Sequence, residues 1–493
     1  MGKVYNFISC DCGNSSTRVI LCRFDGTSIN TRVILQEPNE PFMRDGYFYW
    51  DIRRIFSFLK QGIAFAAAEV DQIHSAGVCT WGVDFAFFDE AGNMISDPLS
   101  YRNAIGGEEL AKLPEAFRDA MFYRTGILAD KINSVFMLKG IQAKMPELLR
   151  RGKKLLMIPD ILNYFFTGSR CNEVSEASTT QLLDVRTMQF SLSQCEALGI
   201  DPSLFHPVAG HGESLGPVLP AVRSEAGLRY DIPVVCVPSH DTASAVLGAP
   251  VQEETFAFIS AGTWALIGLH CREPVITEKV LRGGFTNEAG AFGRITLLKN
   301  STGFFIIQKL RAGYAAGTGH KITWDDLDSL SEKYAGPECL FDVNHPDFFN
   351  PPDMKLAIQA YLVRTGQVKG DAGWPLVLSS AIYSLAASFS SGLEGVMEVS
   401  GVHFKKVVIV GGGARNKKLN QLVADISGLE VSACGMECAS IGNALAQTAF
   451  ACKGLDYMDL RRIAAATAGT ELYAPRRDRG GLLEKYKTFQ QPV

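Results

Sequence analysis

Phe7-Ile8-Ser9-Cys10-Asp11-Cys12-Gly13-Asn14-Ser15-Ser16-Thr17-Arg18 runs straight into the apolar Val19-Ile20-Leu21-Cys22. This reads as a strand, a tight turn of small polar residues, and a returning strand. The pattern recurs far downstream, where Phe256-Ala257-Phe258-Ile259-Ser260-Ala261-Gly262-Thr263-Trp264 leads into Ala265-Leu266-Ile267-Gly268-Leu269. A turn this small, rich in hydroxyls and backbone N–H groups, can wrap a phosphate because no bulky side chain keeps the anion away. Two such hairpins half a chain apart imply a duplicated architecture gripping a polyphosphate from two sides. That is the arrangement expected of an ATP-dependent phosphotransferase.

Length and composition agree. A chain of 493 residues is too long for one core and predicts two domains. With 47% hydrophobic and 20% charged residues it has an ordinary globular composition. A formal net charge of −4 offers no basic field for nucleic acid or an anionic membrane, so neither partner is expected. Anionic substrates must be held by local devices. The 12 cysteines are scattered, several within apolar runs, and read as buried reduced thiols. Cys434 and Cys438 lack the second pair a zinc site needs. No targeting segment is visible, and the uncharged stretch 374–393 carries six serines, Pro375 and Gly392, so it reads as a buried helix. A cytoplasmic location is expected.

Along the chain, strands and helices alternate. A helix is predicted over 51–70, a strand over 75–79, a turn at Asp89-Glu90-Ala91-Gly92 leading to an extended stretch 94–101, and mostly helix over 108–166 closing at Thr167-Gly168. A strand over 231–237 ends at Pro238-Ser239-His240-Asp241-Thr242. The domain boundary falls near 248–254, with no low-complexity linker, so the domains should meet directly and leave a cleft. A long helix over 376–399 stops at Gly401 and is followed by the strand 407–410 and Gly411-Gly412-Gly413-Ala414-Arg415-Asn416.

Several residues invite chemistry. Asp11 ends a strand at the first turn, where a carboxylate can hold a phosphate-bound Mg²⁺ or cap its own turn. Asp241 reads as a helix N-cap, and equally as a carboxylate that accepts the proton of an attacking hydroxyl. The triglycine can admit a nucleotide to the backbone or serve as a strand-to-helix turn. There is no GxxxxGK[ST] loop and no protein-kinase signature. A hydrolase or acyl transferase is disfavoured, because only 8 histidines exist and no nucleophile elbow accompanies them. A non-catalytic nucleotide binder would need neither Asp11 nor Asp241.

Together these segments resemble the FGGY carbohydrate kinases. The resemblance rests on Asp11-Cys12-Gly13-Asn14-Ser15-Ser16, Asp51 after Tyr49-Trp50, Thr80-Trp81-Gly82-Val83-Asp84-Phe85, Met157-Ile158-Pro159-Asp160 and Thr179-Thr180-Gln181-Leu182. It continues through Ser239-His240-Asp241-Thr242-Ala243-Ser244, Ser260-Ala261-Gly262-Thr263-Trp264, Asn287-Glu288-Ala289-Gly290, Leu298-Lys299-Asn300, Gln308 and Val410-Gly411-Gly412-Gly413 with Asn416. It implies an α/β fold of two ribonuclease-H-like, actin/hexokinase-type domains, residues 1–248 and 249–485, flanking an active-site cleft. Asp241 would be the proton acceptor. Gly82, Asp84, His240, Asp241, Thr242 and Asn300 would bind the sugar, a ketose. Asn14, Ser15, Ser16, Thr17, Arg18, Thr263, Gln308 and Gly412 would contact ATP, and Asp11 would hold Mg²⁺ through water. The motifs point to the deoxyketose branch, with L-rhamnulose the expected acceptor and L-fuculose the alternative, in a monomer or homodimer. One departure stands out: Tyr101-Arg102-Asn103-Ala104-Ile105 has Asn103 where the family usually carries a carboxylate, and lacks the following Arg.

Overall fold

Two sheets repeat one strand plan. In the computed structural model, which describes residues 4–435, 437–467 and 469–490, the first sheet runs Ser214–Pro217, Pro233–Val235, Ser75–Thr80, Tyr5–Cys12, Ser16–Phe24, Ile29–Pro38. The second runs Thr286–Ala289, Ile295–Thr302, Trp264–Cys271, Phe256–Ala261, Lys406–Val410, Glu430–Cys434, Glu471–Tyr473. In each, the hairpin's first strand pairs antiparallel with its second and parallel with a strand reached through a helix. A further antiparallel strand and a further parallel strand extend the two sides alike. This is the α/β duplication anticipated from the hairpins.

The crossover helices repeat too. Ile52–Glu69 is capped by Asp51, whose side chain accepts the Arg54 N–H, and it rests on the first sheet through Gly62. A Cβ on Gly62 would stand 2.4 Å from Val19, in the hairpin's second strand. In the other half, Gly392 of Trp374–Ser400 sits where a Cβ would stand 2.6 Å from Ile267, again in the second hairpin strand. Trp374–Ser400 is long and apolar enough to cross a membrane by composition alone, yet 78% of its apolar window is buried inside the protein, and Gly401 ends it in the left-handed region.

Each half then places a helix after its last parallel strand of the shared plan, Asp241–Leu247 and Cys438–Ala451, and these two cross. The crossing is reciprocal. A Cβ on Gly442 would lie 1.8 Å from the Ser244 carbonyl oxygen, and one on Gly248 would lie 2.0 Å from that of Cys438. Only hydrogen fits at either position. Cys438–Ala451 also lies on the first sheet, where Gln447 donates to the Ile8 carbonyl and accepts from the Ser75 hydroxyl. The segment after Leu247 is held by fully buried Arg461, whose guanidinium donates to the carbonyls of Leu247, Ala249 and Val251, each at 2.6 Å.

The sequence reading missed in places. Residues 94–101 form no strand; they make only isolated bridges, Phe88 to Met94 and Tyr49 to Leu99, to two different partners, and Pro98 has no N–H to donate. The helical stretch 108–166 is interrupted by the strand Lys154–Met157, which pairs with Phe85–Phe88, before Ile158–Thr167 ends at left-handed Gly168. Among the described residues the twelve cysteines are free thiols, ten of them buried.

Candidate active site

The parallel strands Tyr5–Cys12, Ser75–Thr80 and Pro233–Val235 bring their carboxyl ends to one edge, where open α/β sheets place ligands. Backbone bonds tie those ends together: Thr80 N–H donates to Ser239 at 2.7 Å and Trp81 N–H to Cys12 at 3.1 Å. Asp11, Gly82, Asp84, His240 and Asp241 therefore gather here. Asp11 is buried, with Arg18 Nη2 at 2.5 Å from Oδ2 and Ser440 Oγ at 3.5 Å. Burial pushes its carboxyl above the usual range, Arg18 pulls it back, and Asp241 and Glu437 add to the rise. Arg18 spends its other nitrogen on Glu437, just ahead of Cys438–Ala451. One guanidinium thus ties the first hairpin to the N-terminal end of Cys438–Ala451.

Asp241 opens its helix, but the N-cap is His240 and makes no side-chain capping bond. This corrects the reading of Asp241 as a cap. Its side chain is 37% exposed, accepts from the Thr242 hydroxyl at 3.2 Å, and stands 3.7 Å from His240 Nε2. Burial raises its carboxyl, His240 lowers it, and nearby Glu288 raises it again. Gly82 is needed for close approach: a Cβ would meet Thr179 Cγ2 at 2.9 Å and His240 Nε2 at 3.3 Å. The next residue, Val83, is β-branched yet sits at φ 74°. The Thr179 hydroxyl accepts its N–H and the Ser134 hydroxyl donates to its carbonyl, so neighbours over-determine a costly conformation. Asp84 does not face the cleft as a free carboxylate. Its Oδ2 accepts from the indoles of Trp50 at 2.6 Å and Trp81 at 2.9 Å, and burial lifts its pKa to about 7.

The two turns differ by one residue, four between paired Cys12 and Thr17 and three between paired Ala261 and Ala265, yet each is closed by its glycine N–H. Gly13 N–H donates to Ser16 and Gly262 N–H to Trp264, both at 2.9 Å, and a Cβ on either glycine would sit 3.3 Å from that same acceptor. In the first turn Asn14 Nδ2 donates to the Tyr101 hydroxyl, Ser15 is exposed, Ser16 Oγ accepts from Gln36, and Thr17 is fully buried. Asn103 accepts from Phe48 N–H and donates to the carbonyls of Phe48 and Ser100. A carboxylate could not make those donations, so Asn103 is a structural clasp.

Around the second turn four glycines converge. Gly303 would place a Cβ 2.6 Å from the Gly262 carbonyl, Gly411 takes φ 86° against Ala261, and Gly413 faces Phe304 at 2.2 Å and Ala261 at 2.7 Å. Gly412 is exposed, and among the described residues nothing comes within 4 Å of its would-be Cβ, so one face of the triglycine is open to them. Thr263, Gln308 and Asn300 are exposed in the same half.

Three contacts join residues far apart in the chain. Arg18 bridges to Glu437. Buried Glu173 and His211 pair at 2.5 Å, with His211 Nδ1 accepting the Phe292 N–H from the other half. Burial works against the Glu173 carboxylate, but His211, Ser175 and backbone N–H groups outweigh it and hold its pKa below the usual range. Finally, Glu288 faces His240 at 3.4 Å. The spacing of these residues, scattered over the chain, matches no local pattern.

Residues 6–248 match the N-terminal domain, and residues 257–451 the C-terminal domain, of the FGGY family of carbohydrate kinases. The chain is 31% identical to a rhamnulokinase of Bacteroides thetaiotaomicron over 476 residues, 96% of each chain. It is 32% identical to one of Bacillus subtilis over 494 residues, covering 99% of this chain and 98% of that one. Among solved structures it resembles a ligand-bound xylulose kinase from Lactobacillus acidophilus, with TM-score 0.81, 12% identity and coverage of 98% and 97%. A Plasmodium falciparum glycerol kinase with ADP aligns with TM-score 0.75, 15% identity and coverage of 99% and 97%.

Proposed function

Because this chain belongs to the FGGY family of carbohydrate kinases, we propose that it phosphorylates L-rhamnulose at the 1-hydroxyl, giving L-rhamnulose 1-phosphate and ADP, in L-rhamnose catabolism. It is a sugar kinase, and ATP is its phosphoryl donor. The observation that carries the choice of sugar is the near full-length similarity to rhamnulokinases. The chemistry is supported by a half-buried Asp241 carboxylate, still reachable from the cleft, at the edge where the halves meet.

In this reading residues 1–248 form the sugar-side domain and 249–485 the nucleotide-side domain. Gly82, His240, Thr242 and Asn300 hold the ketose, and Asp84 supports them by fixing Trp50 and Trp81. The turn residues Asn14 to Arg18, with Thr263, Gln308 and the open face of Gly412, receive ATP. Asp241 takes the proton of the 1-hydroxyl as its oxygen bonds to the γ-phosphorus; the bond to the β–γ bridging oxygen breaks and ADP leaves. Catalysis is then mainly positioning and charge neutralisation in a closing cleft.

No three His, Cys, Asp or Glu side chains cluster to hold a metal among the described residues. A single buried carboxylate fits a Mg²⁺ that arrives on the ATP phosphates and keeps its waters, and Asp11 is that carboxylate. Such an ion would neutralise phosphate charge. The test is ³¹P NMR of a reaction with L-rhamnulose and MgATP. A new phosphomonoester coupled to the C1 protons supports the proposal; no product with this sugar, while another ketose is phosphorylated, overturns it.

A further inference from the structure

The His240 imidazole lies between two carboxylates, one from each half: Nε2 is 3.7 Å from Asp241 Oδ1 and Nδ1 is 3.4 Å from Glu288 Oε2. We propose that Glu288 is a positioning residue for phosphoryl transfer, pairing with His240 so that His240 orients the Asp241 carboxylate and keeps it ionised. The inference rests on Asp241 acting as the base.

The geometry is fixed from both sides. His240 N–H donates to the Ser175 hydroxyl, which itself donates to Glu173. Glu288 lies on Thr286–Ala289, a strand clamped to the other half. Asn287 Nδ2 donates to Gly126 at 2.8 Å, Leu128 N–H to Thr286 Oγ1 at 3.0 Å, and Ala289 N–H to Ser178 Oγ at 3.0 Å. Glu288 is therefore held against His240 by the bonds of its neighbours to the first half.

An imidazole that faces a carboxylate with each nitrogen can satisfy both only when both nitrogens carry protons. Nδ1 faces Glu288 Oε2 at 3.4 Å, so hydrogen bonding and charge together couple the pair. The charged groups around the ring are Glu288 from its strand, Asp241 from its own helix, and Glu173 ahead of Val174–Ser178, all acidic. Burial opposes the imidazolium, but Glu288 and Asp241 prevail and raise its pKa to about 9. The imidazolium in turn offsets the burial that pushes Asp241 toward its protonated, inactive form.

The experiment compares wild type with Glu288→Gln and Glu288→Asp. One readout is the His240 ring titration by ¹⁵N-histidine NMR, assigned through His240→Asn. The other is kcat against pH with whichever sugar the wild type accepts. Without Glu288 the His240 midpoint should fall by about 1–3 units. The alkaline limb of the kcat profile should move to lower pH with the His240 midpoint, lowering kcat at pH 7 by up to about tenfold at the larger shift, with Asp recovering part of the loss and Gln none. An unmoved His240 midpoint in Glu288→Gln, or an unchanged kcat profile, overturns the proposal. The NMR readout is independent of the sugar, so failure of the L-rhamnulose assignment would leave it standing.

Discussion

Asp241→Asn separates chemistry from stability. The substitution preserves size and shape and keeps an oxygen that can accept from the Thr242 hydroxyl at 3.2 Å. It removes the proton acceptor. Loss of a general base costs about 10²–10⁴ in kcat, which at 1.36 kcal/mol per decade is about 3–5 kcal/mol of transition-state stabilisation. The effect on folding has the opposite sign. Burial raises the Asp241 carboxyl above its usual range with Glu288 adding to the rise, and Asp241 in turn raises Asp11. An acid whose pKa is raised in the folded state stabilises below its unfolded pKa, and that contribution is lost as pH rises through the folded value. At neutral pH the Asp241 charge is therefore a liability, and Asn removes it. Steady-state kinetics and thermal unfolding at neutral pH should show a nearly inactive protein whose Tm equals or exceeds that of the wild type. Turnover within about threefold of wild type would refute the role of Asp241 as base. A lower Tm would refute the electrostatic reasoning.

The helix crossing makes a harsher test. Gly442→Ala puts a methyl 1.8 Å from a backbone oxygen that no rotamer can move, so it should cost about 3 kcal/mol or more in urea unfolding, or abolish soluble expression. Gly412→Ala meets nothing, so it should leave stability unchanged while raising the KM for ATP. His211→Ala strands buried Glu173 and should cost about 3–5 kcal/mol. Because the Glu173 pKa is lowered in the folded state, its stabilisation is present above the unfolded value near 4.5 and vanishes as pH falls through the folded one, so the stability deficit of the variant should shrink as pH falls. Asp11→Ala should weaken the Mg²⁺ dependence of activity far more than sugar binding; an unchanged Mg²⁺ titration would leave Asp11 a purely structural partner of Arg18.

The hairpins were legible because strand alternation and glycine turns are local signals, and Gly13 and Gly262 each close their turn with a backbone N–H. Asp51 capping Ile52–Glu69 and Gly401 ending Trp374–Ser400 were legible for the same reason. Asp84 shows the limit. Its place beside Gly82 was readable, but not that two indoles, one of them 34 residues away, occupy its oxygen. Glu437 and Glu288 gain meaning only when the halves come together, and the Glu173–His211 pair only when segments 38 residues apart meet. The reciprocal spacing of Ser244 with Gly248 and Cys438 with Gly442 was present in the chain, yet small residues four apart are too common to mark a crossing.

The central claim is the acceptor sugar, and a ketose panel in a coupled ADP-release assay tests it most directly. A pocket that satisfies each hydroxyl loses about 1–3 kcal/mol when one contact is broken, so epimers should be separable without being excluded. L-rhamnulose should give the highest kcat/KM, L-fuculose and L-xylulose lower values, and glycerol negligible turnover. A clear preference for glycerol, or for D-xylulose over both deoxyketoses, would contradict it.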